Sequence, residues 1–202
     1  MTLLGMLLLQ SSIVRSGSVC YNGFMRSWLL TGVVFSLCAS SFAASLKNDG
    51  FESGDYGDWQ VAGEGWRVSN YKLDSRKGQW GVVNDVLVGG GDEYRVVHQR
   101  IKTSGGKKYE AEVWLRTVCL EGSESFLEVQ FMDKGGAVLK QYQSDHVTGD
   151  QEFTLMKIEN MEAPEETYWV SVRGVVHVIK PPEINPDYHV FDHFDFGRAR
   201  SR

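Results

Sequence analysis

The chain has 202 residues, of which 42% are hydrophobic and 23% are charged, and its formal net charge at pH 7 is -5. This length suits one domain with a sizeable core, and the charge is too modest for a disordered chain. An acidic chain lacks the basic face that neutralises phosphates, so we expect no nucleic-acid partner. Its 22 glycines against 4 prolines, with 12% aromatic residues, favour a sheet-rich protein with glycine turns.

The first 43 residues predict an export signal that is not part of the fold. They contain two arginines and no acidic residue. Met25 is followed by an arginine, an apolar run over residues 28–37, and small residues at Ser41 and Ala43. This order is typical of a secretory signal peptide with its cleavage site. The apolar run is short for a membrane span, which disfavours the alternative of an N-terminal anchor helix.

The predicted cleavage divides the chain into three parts. We expect residues 1–24 to be an over-extended start, residues 25–43 to be the signal peptide, and residues 44–202 to be the mature domain. The mature domain is then secreted or periplasmic and has no membrane span. It keeps one cysteine, Cys119, which excludes an internal disulfide. Its stability must therefore come from a hydrophobic core, with or without a bound metal ion that stabilises the fold further.

The predicted elements of the mature domain are short strands. Segments of alternating hydrophobicity, separated by Gly, Asn, Asp and Ser clusters, cover residues 65–71, 79–84, 93–101, 108–118, 125–132, 137–143, 151–159, 167–178 and 188–196. The sequence Asp-Lys-Gly-Gly at residues 133–136 predicts a hairpin between two of them. We therefore predict an all-β fold, a single jelly-roll β-sandwich of two antiparallel sheets.

The strand over residues 108–118 has an unusual polar side. Period-two alternation places Glu112, Trp114 and Arg116 opposite its apolar side chains. Polar outer faces are ordinary in antiparallel sandwiches, but a large aromatic side chain on such a face indicates a binding surface. The strands over residues 125–132 and 167–178 separate apolar from polar and aromatic side chains in the same way.

Four landmarks resemble, in the same order, the jelly-roll carbohydrate-binding modules found beside xylanases and cellulases, which have a galactose-binding-like β-sandwich. They are Asn-Asp-Gly-Phe-Glu-Ser-Gly at residues 48–54 with a following Trp, the turn into a strand at 75–82, the two strands joined by Gly-Lys-Lys-Tyr over 94–116, and the closing strand at 188–196. His193 departs from the second Asp or Asn that is common in the closing strand, and residues 145–167 diverge.

The resemblance implies a structural calcium ion that ties the first strand to the last. The side-chain ligands would be Glu52 and Asp192, with carbonyl oxygens from Gly50 and Lys77. Calcium prefers six to eight oxygen ligands, which carboxylates, carbonyls and water supply. The alternative is that Asp192 is a buried or edge carboxylate whose partners are turn amides.

The resemblance also implies a glycan surface on the polar sides of strands that could be neighbours. Sugar binding needs an aromatic platform and planar hydrogen-bonding groups. The residues that supply these groups are Glu112, Trp114, Arg116, Glu128, Gln130, Trp169 and Arg173. The alternative is that loops cover the two Trp side chains, while Glu112, Arg116 and Arg173 form cross-strand ion pairs.

The function predicted from these observations is non-catalytic binding of a polysaccharide or oligosaccharide by an exported module. A second hypothesis keeps the fold but makes the module an adhesion or assembly domain that binds a protein. A third is a small polysaccharide lyase or hydrolase that uses Glu112 and Glu128, on facing strands, as its carboxylate pair. The sequence contains no catalytic motif, and its five histidines lack metal-binding spacing.

Overall fold

The computed structural model describes residues 45–87, 91–118, 122–180, 182–183 and 185–199. These residues belong to one compact unit, Ser41–Arg202. The predicted start and signal segments and Cys119 lie outside the described residues, so the division of the chain before residue 44 stays a prediction. No helix within the described ranges is long and apolar enough to cross a membrane.

The described residues form ten β-strands and one short 3-10 turn. The strands are β1 (Gln60–Ala62), β2 (Trp66–Ser69), β3 (Gly81–Val86), β4 (Glu93–Lys102), β5 (Lys108–Val118), β6 (Ser123–Met132), β7 (Val138–Gln143), β8 (Gln151–Glu162), β9 (Trp169–Val178) and β10 (Asp187–Arg198), and the 3-10 turn spans Lys72–Asp74. Each of the nine predicted strands corresponds to one of them. β1 was not predicted because its three residues are all exposed and carry no inward-facing alternation.

The strands pair into two five-stranded antiparallel sheets. Sheet I has the order β1-β4-β9-β6-β7, and sheet II has the order β2-β3-β10-β5-β8. The predicted all-β sandwich of two antiparallel sheets is confirmed. The predicted hairpin is present between β6 and β7, where the backbone N–H of Gly136 donates to the carbonyl of Asp133 at 3.2 Å.

The hydrophobic core lies between the two sheets. β9 is the middle strand of sheet I and β10 is the middle strand of sheet II, so their inward side chains meet at the centre. Gly174 of β9 provides the space, because an added Cβ would lie 3.0 Å from the rings of Phe191 and Phe194. Trp59 closes the core, with its ring centroid 4.5 Å from that of Phe194. Each such ring contributes about 2 kcal/mol of burial free energy.

A buried polar cluster connects the same two sheets away from the aromatic core. Ser123 of β6 donates its hydroxyl to Asp187 of β10, so its oxygen is left to accept from His189 Nε2, 2.9 Å away. The other ring nitrogen, Nδ1, then accepts from the hydroxyl of Ser125 at 3.0 Å. Both ring nitrogens are thus paired when the imidazole is neutral. Burial lowers the pKa of His189 to about 3.

Candidate functional site

The seven residues predicted for the glycan surface lie on two opposite faces. β5 belongs to sheet II, whereas β6 and β9 are neighbours in sheet I. The expectation that all three strands could be neighbours is wrong for β5, because period two fixes the face of a strand but not the sheet that the strand joins. The outer face of sheet II carries Glu112, Trp114 and Arg116, and the outer face of sheet I carries Glu128, Gln130, Trp169 and Arg173.

This division also corrects the carboxylate pair predicted for a hydrolase or lyase. Glu112 pairs in register with Asp195 of β10 and Lys157 of β8 in sheet II. Glu128 pairs in register with Arg173 of β9 and Gln143 of β7 in sheet I. The two carboxylates therefore point away from the sandwich on opposite sides, and one substrate cannot lie between them.

On sheet II, the loop over residues 70–80 crosses the outer face. The guanidinium carbon of Arg76 lies 4.6 Å from the ring centroid of Trp114. Val83 and Val190, which belong to the same outer face, are 0% exposed. The loop therefore closes the middle of this face, and Trp114 has a cation from the loop over its ring.

The charged residues of the sheet II face are paired across strands. Glu112 forms an ion pair with Lys157 of β8 at 2.9 Å. Arg116 Nε lies 3.4 Å from the carboxylate of Glu152. For Glu112 and Arg116 this is the arrangement that the alternative of cross-strand ion pairs predicts. Trp114 itself is partly exposed, as Trp169 is, with the Arg76 guanidinium of the loop over its ring.

On sheet I, one row of the outer face, Val96, Val175 and Phe126, is buried, and His146 from the segment after β7 stacks on Phe126 with its centroid 4.0 Å away. The rows on the Trp169 side of it consist of residues carried by the strands themselves. In one row across β4, β9, β6 and β7, His98 lies opposite Arg173, then Glu128, then Gln143. The next row begins with Arg100 of β4 and continues through Ser171, Gln130 and Gln141. The row after that contains Lys102, Trp169 and Met132. Antiparallel pairing in register therefore aligns the four predicted residues of this sheet with further polar side chains.

Glu128 is the centre of the first row and is only 5% exposed. One carboxylate oxygen, Oε1, accepts from Arg173 and from Gln130 Nε2. The other, Oε2, accepts from Gln141 Nε2 at 2.7 Å and from Gln143 Nε2 at 2.8 Å. Four side-chain donors therefore satisfy one buried carboxylate and hold three amide groups in fixed orientations. The pair of Arg173 with Glu128 also fits the ion-pair alternative for Arg173.

Gln141 and Gln143 were not among the predicted site residues. They lie on the exposed side of the edge strand β7. The predicted hairpin at residues 133–136 does not locate them, because a register shift between Phe131 and Met132 offsets β7 by one residue and sets the observed register of β7 against β6. That register places Gln141 opposite Gln130 and Gln143 opposite Glu128.

The opposite end of the same face carries two histidines and two acidic residues. Glu124 accepts from Nδ1 of both His146 and His177 at 3.0 Å, and the second nitrogen of His177 lies 3.1 Å from Asp92. Burial lowers the pKa of His177, but its hydrogen bonds to Glu124 and Asp92 outweigh burial and raise the pKa above its ordinary value. The ring of Tyr94 stacks on His177 with its centroid 4.2 Å away. None of these residues was predicted to belong to a site.

The residues predicted for calcium meet at one loop. Asp192 Oδ2 accepts from the backbone N–H groups of Arg76 at 2.8 Å and Lys77 at 3.1 Å. Glu52 accepts from the backbone N–H groups of Gln79 and Trp80. The two carboxylates of the predicted ligand set therefore hold the loop that crosses sheet II, one at each side of Gly78.

Several atoms of this cluster remain available to a cation. Asp192 Oδ1 is buried and has no hydrogen-bond partner, and His193 Nδ1, also without a partner, lies 3.8 Å from it. Burial raises the pKa of Asp192, although backbone hydrogen bonds oppose the shift. Gly50 packs against this pair, since an added Cβ would lie 2.7 Å from His193 Nδ1. The carbonyl of Lys77 accepts from the Ser75 hydroxyl at 2.9 Å. The described ranges contain no group of three or more His, Cys, Asp or Glu side chains placed to hold a metal.

Sequence comparisons give no relatives, since no protein-family model and no curated protein matches the chain. Solved structures do match. TmCBM61, solved with β-1,4-galactotriose, has a TM-score of 0.54 at 21% identity, and the match covers 76% of this chain and 97% of that chain. The C-terminal family 22 carbohydrate-binding module of Clostridium thermocellum Xyn10B has a TM-score of 0.54 at 15% identity, with 76% and 92% covered. The CBM22-1 xylan-binding domain of Paenibacillus barcinonensis Xyn10C has a TM-score of 0.51 at 12% identity, with 76% and 93% covered.

These matches span nearly the whole length of the solved modules. The chain has the jelly-roll fold of carbohydrate-binding modules, and the resemblance stated from its sequence landmarks is confirmed at the level of the fold. A shared fold does not by itself assign a ligand, because function depends on the side chains of the site.

Proposed function

We propose that the protein is a non-catalytic carbohydrate-binding module that binds a polysaccharide on the outer face of sheet I. The observation that carries the proposal is the cluster centred on Glu128, in which a carboxylate with four donors holds three amide groups and one guanidinium. Trp169 lies on the row next to that of Gln130 and Gln141. The fold supports the proposal, because the solved modules named above bind sugars on the same architecture.

The chemistry of this face suits a glycan. Sugars present hydroxyl groups around the rim of the ring and C–H groups on its faces. Amide and guanidinium groups whose orientation is already fixed bind hydroxyl groups without a further loss of side-chain entropy. Trp169 supplies a partly exposed aromatic ring next to them. Sugar binding on this face requires no proton transfer and no nucleophile.

The test is the matched pair Trp169→Ala and Trp114→Ala, which makes the same change on the two outer faces. Binding of xylo-oligosaccharides, β-1,4-galacto-oligosaccharides and acidic polysaccharides is measured by titration calorimetry and affinity electrophoresis. We expect Trp169→Ala to weaken binding about tenfold, the equivalent of about 1.4 kcal/mol, and Trp114→Ala to have little effect. The reverse order, or no binding by the wild type to any glycan, would refute the proposal. A protein partner retained in the presence of every sugar would favour the adhesion hypothesis.

The structural calcium ion is a second part of the proposal. Carboxylate and carbonyl oxygens are the ligands that calcium prefers, and Asp192 Oδ1 lacks another partner. When bound, calcium would supply positive charge between the opening turn and β10, held by Asp192, Glu52 and the carbonyl groups of Gly50 and Lys77. We expect calcium at 100 times its Kd to stabilise the protein by about 2.7 kcal/mol relative to EDTA. Equal melting temperatures in calcium and EDTA would refute this part, and Asp192→Asn should abolish the difference.

We also propose that the module is exported, on the basis of the predicted signal peptide. N-terminal sequencing of the protein recovered from the periplasm or the medium should begin at Ala44. Retention of residues 25–43 in the recovered protein would contradict the predicted cleavage.

A further inference from the structure

Two cations surround Trp169 without a carboxylate partner. The guanidinium carbon of Arg100 lies 5.0 Å from the ring centroid of Trp169, and the ammonium nitrogen of Lys102 lies 5.7 Å from it. Both cations are exposed side chains of β4. Within the described part of the chain, neither lies within 4.0 Å of an acidic oxygen in an ion pair.

The nearest buried carboxylate in this sheet cannot serve as their counter-ion. Glu128 lies one row from Arg100 and two rows from Lys102, and both of its oxygens are already occupied by Arg173 and three glutamine amides. The positive charges at this end of the face also affect the pKa of His98. Burial lowers the pKa of His98, and the charges of Arg173 and Arg100 lower it further.

The position of Arg100 over Trp169 determines which group this end can bind. A guanidinium that lies over an aromatic ring keeps its N–H edges directed outward, in the planar fork that matches a carboxylate or a sulfate. The same contact occupies part of one face of the ring, and the rest of the partly exposed ring stays available to a sugar. An anionic substituent gains from the arrangement as it stands.

We propose that the Trp169 end of the sheet I face binds an oxyanion of the glycan through Arg100 and Lys102. This oxyanion is a uronate carboxylate or a sulfate ester. This inference rests on the proposed function, since it names the class of polysaccharide bound on that face. The neighbouring row, from His98 to Gln143, would contact hydroxyl groups of the same glycan chain.

The negative charge of the whole chain does not oppose this assignment at short range. The net charge is -5. On this face Glu128 is neutralised by Arg173 and its amide donors, and Asp92 and Glu124 lie at the opposite end as partners of His177. At physiological ionic strength charges separated by more than about 8 Å are largely screened. An anionic substituent therefore responds mainly to the nearby side chains of Arg100 and Lys102.

The test compares each acidic polysaccharide with its own neutral derivative, using the full chain. Polygalacturonate, alginate and glucuronoxylan are each paired with the carboxyl-reduced form, and carrageenan is paired with its desulfated form. We expect at least one acidic form to bind tenfold or more tightly than its neutral partner, with an affinity that falls as NaCl rises. The carboxyl-reduced and desulfated arms distinguish a uronate from a sulfate as the group recognised.

The variant Arg100→Gln/Lys102→Gln should lose the preference for the acidic form. A control with the same charge change, Lys108→Gln/Lys157→Gln in sheet II, should retain it, and melting curves of both variants should show folded protein. Neutral forms bound as tightly as acidic ones would overturn the inference and leave the proposed function standing. The absence of binding to every form of every polysaccharide would overturn both.

Discussion

The two outer faces of the sandwich carry the same three residue types but use them differently. Sheet II has Glu112, Trp114 and Arg116 on a single strand, whereas sheet I has Glu128, Trp169 and Arg173 on two neighbouring strands. On sheet II a loop crosses the face and supplies the cation over Trp114. On sheet I the cations over Trp169 come from the adjacent strand, and the row of polar groups is carried by the sheet itself.

This difference shows that the composition of a strand does not determine whether its polar side is a binding surface. On sheet II the loop over residues 70–80 crosses the polar side of the strands. The carboxylates of Asp192 and Glu52 hold this loop by accepting hydrogen bonds from its backbone amides. A site made of strand residues in register is rigid from the start, and this rigidity favours binding. The following changes act on one face and leave the other as the control.

The largest expected effect is on stability, from removal of the buried carboxylate. Glu128→Ala should destabilise the protein by about 3 kcal/mol, because it leaves the Arg173 guanidinium and three amides without their common acceptor. Glu112→Ala on sheet II removes only an exposed pair with Lys157 and should cost less than about 1 kcal/mol. Urea unfolding of the two variants measures the difference. Equal losses for both would contradict the contrast drawn between the faces.

A smaller effect is expected from the loop on sheet II. Gly78 has φ of +86°, and an added Cβ would lie 2.2 Å from Glu52 Oε1. Gly78→Ala should therefore cost about 2 kcal/mol and weaken the hold of Glu52 on the loop. Trp114 should become more accessible to a fluorescence quencher. Gly149→Ala, at a position where an added Cβ meets nothing within 4 Å, is the matched control. A Gly78→Ala variant with unchanged stability and unchanged quenching would show that this contact does not fix the loop.

The pH dependence of stability should distinguish the contribution of His189, which is buried between the sheets, from that of His177 on the sheet I face. His189 has a folded pKa of about 3, below its unfolded value, so its contribution is complete above about pH 6.5 and is lost as pH falls from there toward 3. His177 has a raised folded pKa, so its contribution is complete below about pH 6.5 and is lost as pH rises through the folded value.

Each histidine can be removed separately to check these signs. Protonation of His189 lowers the free energy of unfolding by at most about 1.4 kcal/mol per pH unit. His189→Gln should therefore flatten the acid side of the plot of unfolding free energy against pH. His177→Gln should flatten the alkaline side and leave the acid side as it is. Unfolding free energies measured at a series of pH values test both variants. An acid side that remains as steep in His189→Gln would assign the acid loss to carboxylates.

The sequence predicts much of the fold because period two and glycine turns are local signals. The strand over residues 108–118 has the predicted bounds, and the hairpin at residues 133–136 is present. What these signals cannot predict is how strands are distributed between sheets, which depends on long-range pairing. For this reason Trp114 and Trp169 were placed on one surface, although they lie on opposite faces.

The candidate site was predictable only in part for the same reason. Four of its residues, Glu128, Gln130, Trp169 and Arg173, follow from alternation along β6 and β9. Arg100 and Lys102 join them only through the pairing of β4 with β9, which no local pattern indicates. The paired His189 network was also missed, since two serines and a histidine on separate strands have no characteristic spacing.

The position of β10 has a consequence for how the chain acquires its structure. β10 is the last of the described strands in sequence but the middle strand of sheet II, where it separates β3 from β5. Its side chains Phe191 and Phe194 also fill the centre of the core. Sheet II therefore cannot be completed until residues 187–198 have been synthesised, and its pairings join distant parts of the sequence, which makes folding slow. Late completion of sheet II is compatible with the export proposed for the module.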